Sequence, residues 1–244
     1  MVQRTNSSWS EKEKDFDALR EEFLSSVNLR DYVDHPHVLA KRQSVSSHLV
    51  RYNLFNLILD IKGSVVECGV HKGDSLMLYY HLSSILEPTA FNRKIYGFDT
   101  FEGFRSISPK DSVGLDEKMF SDTSYDVLKK AVELHDMNRF VGHLPKCELI
   151  KGDATATIPE FKKQHPELII ALLYLDFDIY SPTKVGIEEL LPLVPRGGVV
   201  AFDELNCAKW KGETEAFKEL INMKEIKLRK FHFDPWVSYF IVGE

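Results

Sequence analysis

The stretch Ile226-Lys227-Leu228-Arg229-Lys230-Phe231-His232-Phe233-Asp234-Pro235-Trp236-Val237-Ser238-Tyr239-Phe240-Ile241-Val242 decides the fold. Its first half alternates apolar and basic residues, Asp234-Pro235 turns the chain, and an apolar run follows at once. No crossover helix fits between the two runs, so they pair as an antiparallel hairpin. Upstream, from Gly63 onward, strands and helices alternate, which implies a parallel sheet with helices on both faces. Strands are expected over 64–68, 94–99, 147–151, 169–175 and 199–202, and helices over 74–86, 124–135, 182–194 and 213–221. The expected architecture is α/β: a doubly wound, seven-stranded, mostly parallel sheet that ends in an antiparallel hairpin.

Ahead of the sheet, Phe16, Leu19, Phe23 and Leu24 recur at helical spacing, as do Val45, Leu49, Tyr52, Leu54, Phe55 and Ile58. Pro36 separates the two helices. Residues 1–60 are read as an N-terminal helical arm, part of the same domain as the main body over 61–244. Composition is that of an ordinary globular chain, 43% hydrophobic and 28% charged. A net charge of −6 argues against a nucleic-acid partner, which needs concentrated Lys and Arg. No apolar stretch approaches the roughly 20 residues that span a bilayer, and no membrane partner is expected. The N-terminus is polar, without a signal-peptide apolar region, and Cys68, Cys147 and Cys207 are far apart. Reduced thiols in the cytoplasm are the expectation.

Two apolar runs end in acid. Leu168-Ile169-Ile170-Ala171-Leu172-Leu173-Tyr174-Leu175 runs into Asp176-Phe177-Asp178, and Gly197-Gly198-Val199-Val200-Ala201-Phe202 runs into Asp203-Glu204. Both read as fully buried parallel strands. A carboxylate directly after such a strand sits at the carboxyl edge of the sheet, where open α/β folds bind ligands. Two neighbouring strands ending this way suggest an oxygen cage for a divalent cation, with Asp176, Asp203 and Glu204 as metal ligands.

The turn Glu67-Cys68-Gly69-Val70-His71-Lys72-Gly73-Asp74-Ser75 joins the first strand to a helix. Its spacing lacks the middle glycine of dinucleotide binders and suits S-adenosylmethionine instead. Glu67 is a candidate acceptor for that cofactor's ammonium group. Gly69 permits a tight turn with positive φ, and Gly73 permits close backbone approach to a ligand. Asp99 closes the second strand and can accept from ribose hydroxyls, unless it only caps its turn. Asp153 closes the third strand and can accept from an adenine amino group, with Ala154 supplying an N–H, unless it is a helix cap.

Val66-Glu67-Cys68-Gly69-Val70, Tyr96-Gly97-Phe98-Asp99-Thr100-Phe101-Glu102-Gly103, Leu175-Asp176-Phe177-Asp178-Ile179-Tyr180, and Asp203-Glu204 with Trp210-Lys211-Gly212 together resemble the macrocin O-methyltransferase family. The resemblance runs from about Arg42 to the C-terminus. It implies a class I methyltransferase fold, S-adenosylmethionine as donor and Mg²⁺-assisted methylation of a hydroxyl on a sugar or glycosylated small molecule. By matching motif, Glu67, Gly69, Gly73, Ser75, Asp99, Thr100, Asp153 and Ala154 would line the cofactor site. Asp178 is the first candidate for the catalytic base and Asp176 the second, with His71, His143 and His232 behind them. The family commonly has aspartate where this chain has Glu204, a longer ligand that shifts the cage. Catechol-type relatives carry a lysine at the position of Ile179, so a catechol mechanism is disfavoured. The loop over 107–123 is expected to be a mobile lid. Phe16 and Phe23 on the arm mark either a lid surface or a contact in a homo-oligomer. A hydroxylase of the same fold, an S-adenosylmethionine-binding protein without turnover, and a non-enzymatic sensor or scaffold stay open as alternatives.

Overall fold

The computed structural model describes the backbone over residues 11–244 and side chains from residue 14; the polar N-terminus and Ser10, the expected start of the arm, lie outside the described residues. The chain forms two compact units, residues 1–49 and 50–244. The first holds α1 (Glu11–Ser26), a 3-10 turn (Leu29–Tyr32), α2 (Pro36–Leu39) and the first half of α3 (Arg42–Asn56). Pro36 separates α1 from α3 by opening a short helix of its own, since it stands at the first helical position, where a missing N–H costs nothing. Lys41 Nζ pairs with Asp17 Oδ1 at 2.6 Å within this unit.

The second unit begins inside α3 and continues through β1 (Ser64–Cys68), α4 (Asp74–Leu86), β2 (Ile95–Asp99), α5 (Tyr125–Asp136), β3 (Cys147–Lys151), α6 (Ala154–Gln164), β4 (Ile170–Leu175), α7 (Tyr180–Leu190), β5 (Val199–Phe202), α8 (Lys211–Leu220), β6 (Arg229–Lys230) and β7 (Ser238–Ile241). The sheet order is β3-β2-β1-β4-β5-β7-β6. Only the pairings of β7 with β5 and β6 are antiparallel, as the terminal hairpin required. Helix α6 escaped the sequence reading. Pro159 interrupts its pattern, and Ile158 and Phe161 are its main buried residues.

One face of the sheet packs against Val50, Leu54 and Phe55 of α3 together with Leu76 and Tyr79 of α4. The other packs against Ile158 and Phe161, Ile187 and Leu190, and Ala216 and Phe217 of α6, α7 and α8. With both faces covered, β1, β4 and β5 are buried along their whole length, and this is why they read as unbroken apolar runs.

The register sets where chemistry can sit. Cys68 pairs with Phe98 on one side and Leu175 on the other, and Leu175 pairs with Phe202. The residues just beyond them therefore form one row: Asp99, Gly69, Asp176 and Asp203. The hydrogen bonding continues through this row. Gly69 N donates to Phe98 O (2.8 Å), Asp176 N to Cys68 O (2.8 Å) and Asp203 N to Leu175 O (3.1 Å). Gly69 holds φ +92, and a Cβ there would stand 1.9 Å from the Asp176 carbonyl oxygen. We predict that Gly69→Ala destabilises the protein by more than about 1 kcal/mol in urea unfolding, since both the positive φ and the close approach oppose a side chain. An unchanged midpoint would show that the row can spread without cost.

Candidate active site

The glycine turn is shaped by the acids around it. Asp99 Oδ2 accepts from Val70 N (2.9 Å) and His71 N (2.7 Å), and Oδ1 accepts from Phe101 N (2.6 Å). A carboxylate offers about four lone-pair positions, so Asp99 has little left for a ribose hydroxyl after bracing the turn. Thr100 is turned inward on its own loop, where Oγ1 donates to Gly103 O at 2.6 Å. Gly73 caps α4 at φ +85, and a Cβ there would strike Leu128 of α5 at 2.4 Å. The positive φ alone favours glycine there, and the Leu128 side chain closes the space a Cβ would need. Glu67 is fully buried; Ser75 Oγ donates to its Oε1, and Oε2 has no hydrogen-bond partner. Burial pushes the Glu67 carboxyl up to about 8, against the Ser75 hydrogen bond and Arg51, which pull it down.

Asp153 caps α6. Its Oδ1 accepts from Thr155 N (2.9 Å) and Thr155 Oγ1 (2.7 Å), and its Oδ2 from Ser106 Oγ (2.9 Å). Burial raises its carboxyl, but these hydrogen bonds outweigh it and hold the group below the usual carboxylate range. Ala154, the first residue of α6, is buried behind it.

The acidic side of the row is denser than the sequence reading anticipated. Asp176, Asp178 and Glu204 are joined by Glu213 at the start of α8, whose Oε1 accepts from Glu204 N at 3.2 Å. Burial comes first among the causes that raise all four, and repulsion from neighbouring carboxylates raises each further. Asp178 lies against Glu204, yet both Glu204 oxygens are buried with no donor. Two carboxylates in contact satisfy one another only when one carries a proton or a cation lies between them. Asp178 also sits at φ +64 in a three-residue turn closed by Ile179 N donating to Phe177 O (2.7 Å). Among the described residues, six of the seven non-glycine residues with positive φ, namely His71, Phe101, Ser106, Phe120, Asp178 and Asn206, lie in the loops that follow β1, β2, β4 and β5. Strained backbone gathers at functional sites, and here it gathers at the carboxyl edge.

Among the described residues, the buried cation facing these acids is Arg51 on α3. Arg51 is 7% exposed, and its Nη2 lies 3.5 Å from Asp203 Oδ1. Tyr174 OH donates to the same oxygen at 2.5 Å. Arg51 and Glu213 carry no sequence motif that announces them, and Tyr174 reads only as a strand residue.

The donors suit a hard divalent cation: Asp176, Asp203 and Glu204 are all oxygen ligands, and the donorless Glu204 carboxylate marks a missing positive partner. Among the described residues, no three such side chains stand together as a ready-made ligand group. Asp176, Asp203 and Glu204 would hold such an ion only by drawing closer together.

The loop expected to be a mobile lid is braced at both ends. Asp111, 4% exposed, accepts from Tyr180 N and Ser108 N, each at 2.7 Å. At the far end, Asp122 pairs with His71 (3.0 Å) and Lys72 (2.5 Å), and Phe120 packs edge-on against His71 and Phe104. Thus His71 at the carboxyl edge is engaged, while His143 precedes β3 at the opposite edge and cannot serve the site. His232 is exposed in the hairpin turn.

Residues 50–241 match the macrocin O-methyltransferase (TylF) family. The chain belongs to that family. Among its relatives, 8-demethyl-8-(2,3-dimethoxy-α-L-rhamnosyl)-tetracenomycin-C 4′-O-methyltransferase of Streptomyces olivaceus is 25% identical over 178 residues, 72% of this chain and 65% of that protein. The chain thus spans slightly under two thirds of that relative's length. The crystal structure of CalS11, a calicheamicin methyltransferase, superposes with a TM-score of 0.91 at 29% identity, covering 100% of this chain and 98% of the other. The apo structure of CalS11, described as a TDP-rhamnose 3′-O-methyltransferase, gives 0.84 at 29% identity over 97% of both chains. The class I methyltransferase fold expected from the terminal hairpin is therefore the fold observed, and the enzyme class implied by the motifs, an S-adenosylmethionine-dependent O-methyltransferase, agrees with the family. No helix among the described residues is long and apolar enough to cross a membrane.

The raised Glu67 carboxyl has a consequence for stability. Above its ordinary value of 4.5 the unfolded chain releases a proton that the folded chain keeps until about 8. The stability from this site is thus full at low pH and is lost as pH rises through that window. Urea unfolding from pH 5 to pH 8 should show wild type losing stability relative to Glu67→Gln, which has no such proton to lose. A constant difference across the window would mean that Glu67 is ionised in the folded protein throughout.

Proposed function

We propose that this protein transfers a methyl group from S-adenosylmethionine to a hydroxyl of a deoxyhexose ring, with a divalent cation, Mg²⁺ first, assisting. The observation that carries the reading is the row in which the glycine turn and the Asp176 and Asp203 acids stand side by side, with Asp178 and the donorless Glu204 beside them. The rhamnose-directed activities of CalS11 and the tetracenomycin enzyme support a sugar acceptor, free as a nucleotide sugar or attached to an aglycone.

When bound, S-adenosylmethionine supplies the methyl group, and a cation held by Asp176, Asp203 and Glu204 supplies a Lewis acid that makes a coordinated hydroxyl easier to ionise. The chain's own residues do the rest. The turn from Gly69 to Gly73 receives the methionine end, with Glu67 beneath it. Asp99 keeps the turn in shape through its three backbone hydrogen bonds. Asp153 and Ala154 take the adenine side. Asp178 accepts the acceptor's hydroxyl proton on its carboxylate; its raised affinity for protons suits a base working near neutral pH. The buried acids, fixed by β4, β5 and Glu213, orient the hydroxyl along the line of transfer.

Incubation of the full chain with S-adenosylmethionine, Mg²⁺ and either TDP-rhamnose or a rhamnosylated aromatic polyketide, read by mass spectrometry, should show gain of one methyl. Absence of product from both acceptors while S-adenosylhomocysteine binds would leave a cofactor-binding protein without this activity. Chelation with EDTA should stop turnover, and Mg²⁺ should restore it. Activity that survives chelation would remove the cation from the reading while leaving the methyl transfer. Asp178→Asn should lower kcat by about 10²–10⁴-fold with little change in calorimetric affinity for S-adenosylhomocysteine. A variant at full activity would exclude Asp178 as the base.

A further inference from the structure

Asp203 is held in an asymmetric way. Tyr174 OH and Arg51 Nη2 both reach Oδ1, at 2.5 and 3.5 Å, and the Arg51 guanidinium lies 4.8 Å from the centre of the Tyr174 ring. Two groups from two elements, α3 and β4, thus converge on one oxygen at the end of β5. The Asp203 side chain keeps 18% of its surface accessible while Arg51 keeps 8%, and both of these contacts fall on Oδ1 rather than Oδ2.

This clamp has no evident task in holding the fold. Val50, Leu54 and Phe55 are all fully buried and dock the second half of α3 on the sheet without it. A buried ion pair placed for stability alone is a poor device, because apolar residues of similar size often stabilise as well or better. Tyr174 lies mid-sheet in a strand otherwise wholly apolar, and its hydroxyl is the only polar side-chain group that β4 carries. That hydroxyl and the guanidinium Nη2 both meet a carboxylate standing in the row next to Asp176.

We propose that Arg51 and Tyr174 are positioning residues that lock Asp203 by its Oδ1, so that it presents Oδ2 alone to a divalent cation. The inference rests on the cation-assisted reading above and adds two residues to it. Carboxylates that bind metal are themselves held by hydrogen bonds, and loss of such a partner typically lowers metal affinity about 10–100-fold. Arg51 does this with a planar, permanently charged fork stacked on an aromatic ring, a geometry that lysine cannot reproduce.

The test is Mn²⁺ binding by the full chain in the presence of S-adenosylhomocysteine, read from the electron paramagnetic resonance signal of the free ion. Wild type is compared with Tyr174→Phe, which removes one hydroxyl and keeps the ring, and with Arg51→Lys, which keeps the charge and removes the fork. Both variants should bind Mn²⁺ about 10–100-fold more weakly, with calorimetric affinity for S-adenosylhomocysteine unchanged; that retained affinity shows that they are folded. Arg51→Lys separates positioning from charge, since a role through charge alone predicts no loss. Variants that bind Mn²⁺ as wild type does would overturn the positioning role and leave the cation reading standing. Wild type that binds no Mn²⁺ at millimolar concentration would overturn the cation reading and this inference with it.

Discussion

The structure depends on a single alignment: the last paired residues of β2, β1, β4 and β5 fall at one level. Phe98, Cys68, Leu175 and Phe202 are register partners, so each strand releases its next residue at the same height. The hydrogen bonds of Gly69, Asp176 and Asp203 to the neighbouring strand's last carbonyl carry the pairing one step further. A shift of one residue in any strand would turn its acid to the other face of the sheet and break the row. The apolar filling of β1, β4 and β5 makes such a shift costly, because it would exchange the sets of residues that face the two cores. Site geometry is thus a by-product of how the hydrophobic core fixes register.

Gathering acids at that level opposes folding. Asp176, Asp178, Glu204 and Glu213 are all raised by burial and by their neighbours, and Glu204 has no donor at all. Buried carboxylates without partners are among the most unfavourable features a core can contain. Arg51 offsets part of this, and the Glu204 N–H gives Glu213 one hydrogen bond. Lys209 in the loop after β5 offsets part of the charge at Asp178, while the Glu204 carboxylate keeps no hydrogen-bond donor among the described residues. An arrangement that costs stability is understandable where the acids act on something that enters from outside the chain. The strained φ of Asp178 points the same way, because a short acidic residue is among the few side chains that tolerate a left-handed conformation.

How much of this was legible in the sequence follows from chain distance. Strands buried on both faces announce themselves as apolar runs, so β1, β4 and β5 and the acids ending them could be read directly. The terminal hairpin could be read because no helix fits between its halves. Helix α6 was hidden by Pro159, and the start of α7 at Tyr180 preceded the expected position at Pro182. Arg51 could not be found, because it meets Asp203 across 152 positions and lies in a helix whose other residues look like ordinary packing. Glu213 looks like a solvated residue of an amphipathic helix until β5 places Glu204 against it. Asp99 was legible as the acid that ends β2, but its three backbone partners were not, since they depend on how the turn after β1 folds over β2.

The loop after β2 shows how local composition can mislead about motion. It is long, polar and rich in turn-forming residues, the usual description of a lid. In the fold it is a cross-brace. Asp111 ties its first part to the first turn of α7, and a Cβ on Gly212 would stand 1.9 Å from Asp111 Oδ1, so the start of α8 closes on the same carboxylate. Phe120 brings the other end against His71 in the turn after β1 and against Trp210 in the loop that follows Glu204. One segment therefore touches the turn that would carry the donor, the loop that carries Glu204, and the two helices that begin beside the acids. Its freedom is confined to the tip between the braces, where Val113 is fully exposed and a side chain added at Gly114 would meet nothing.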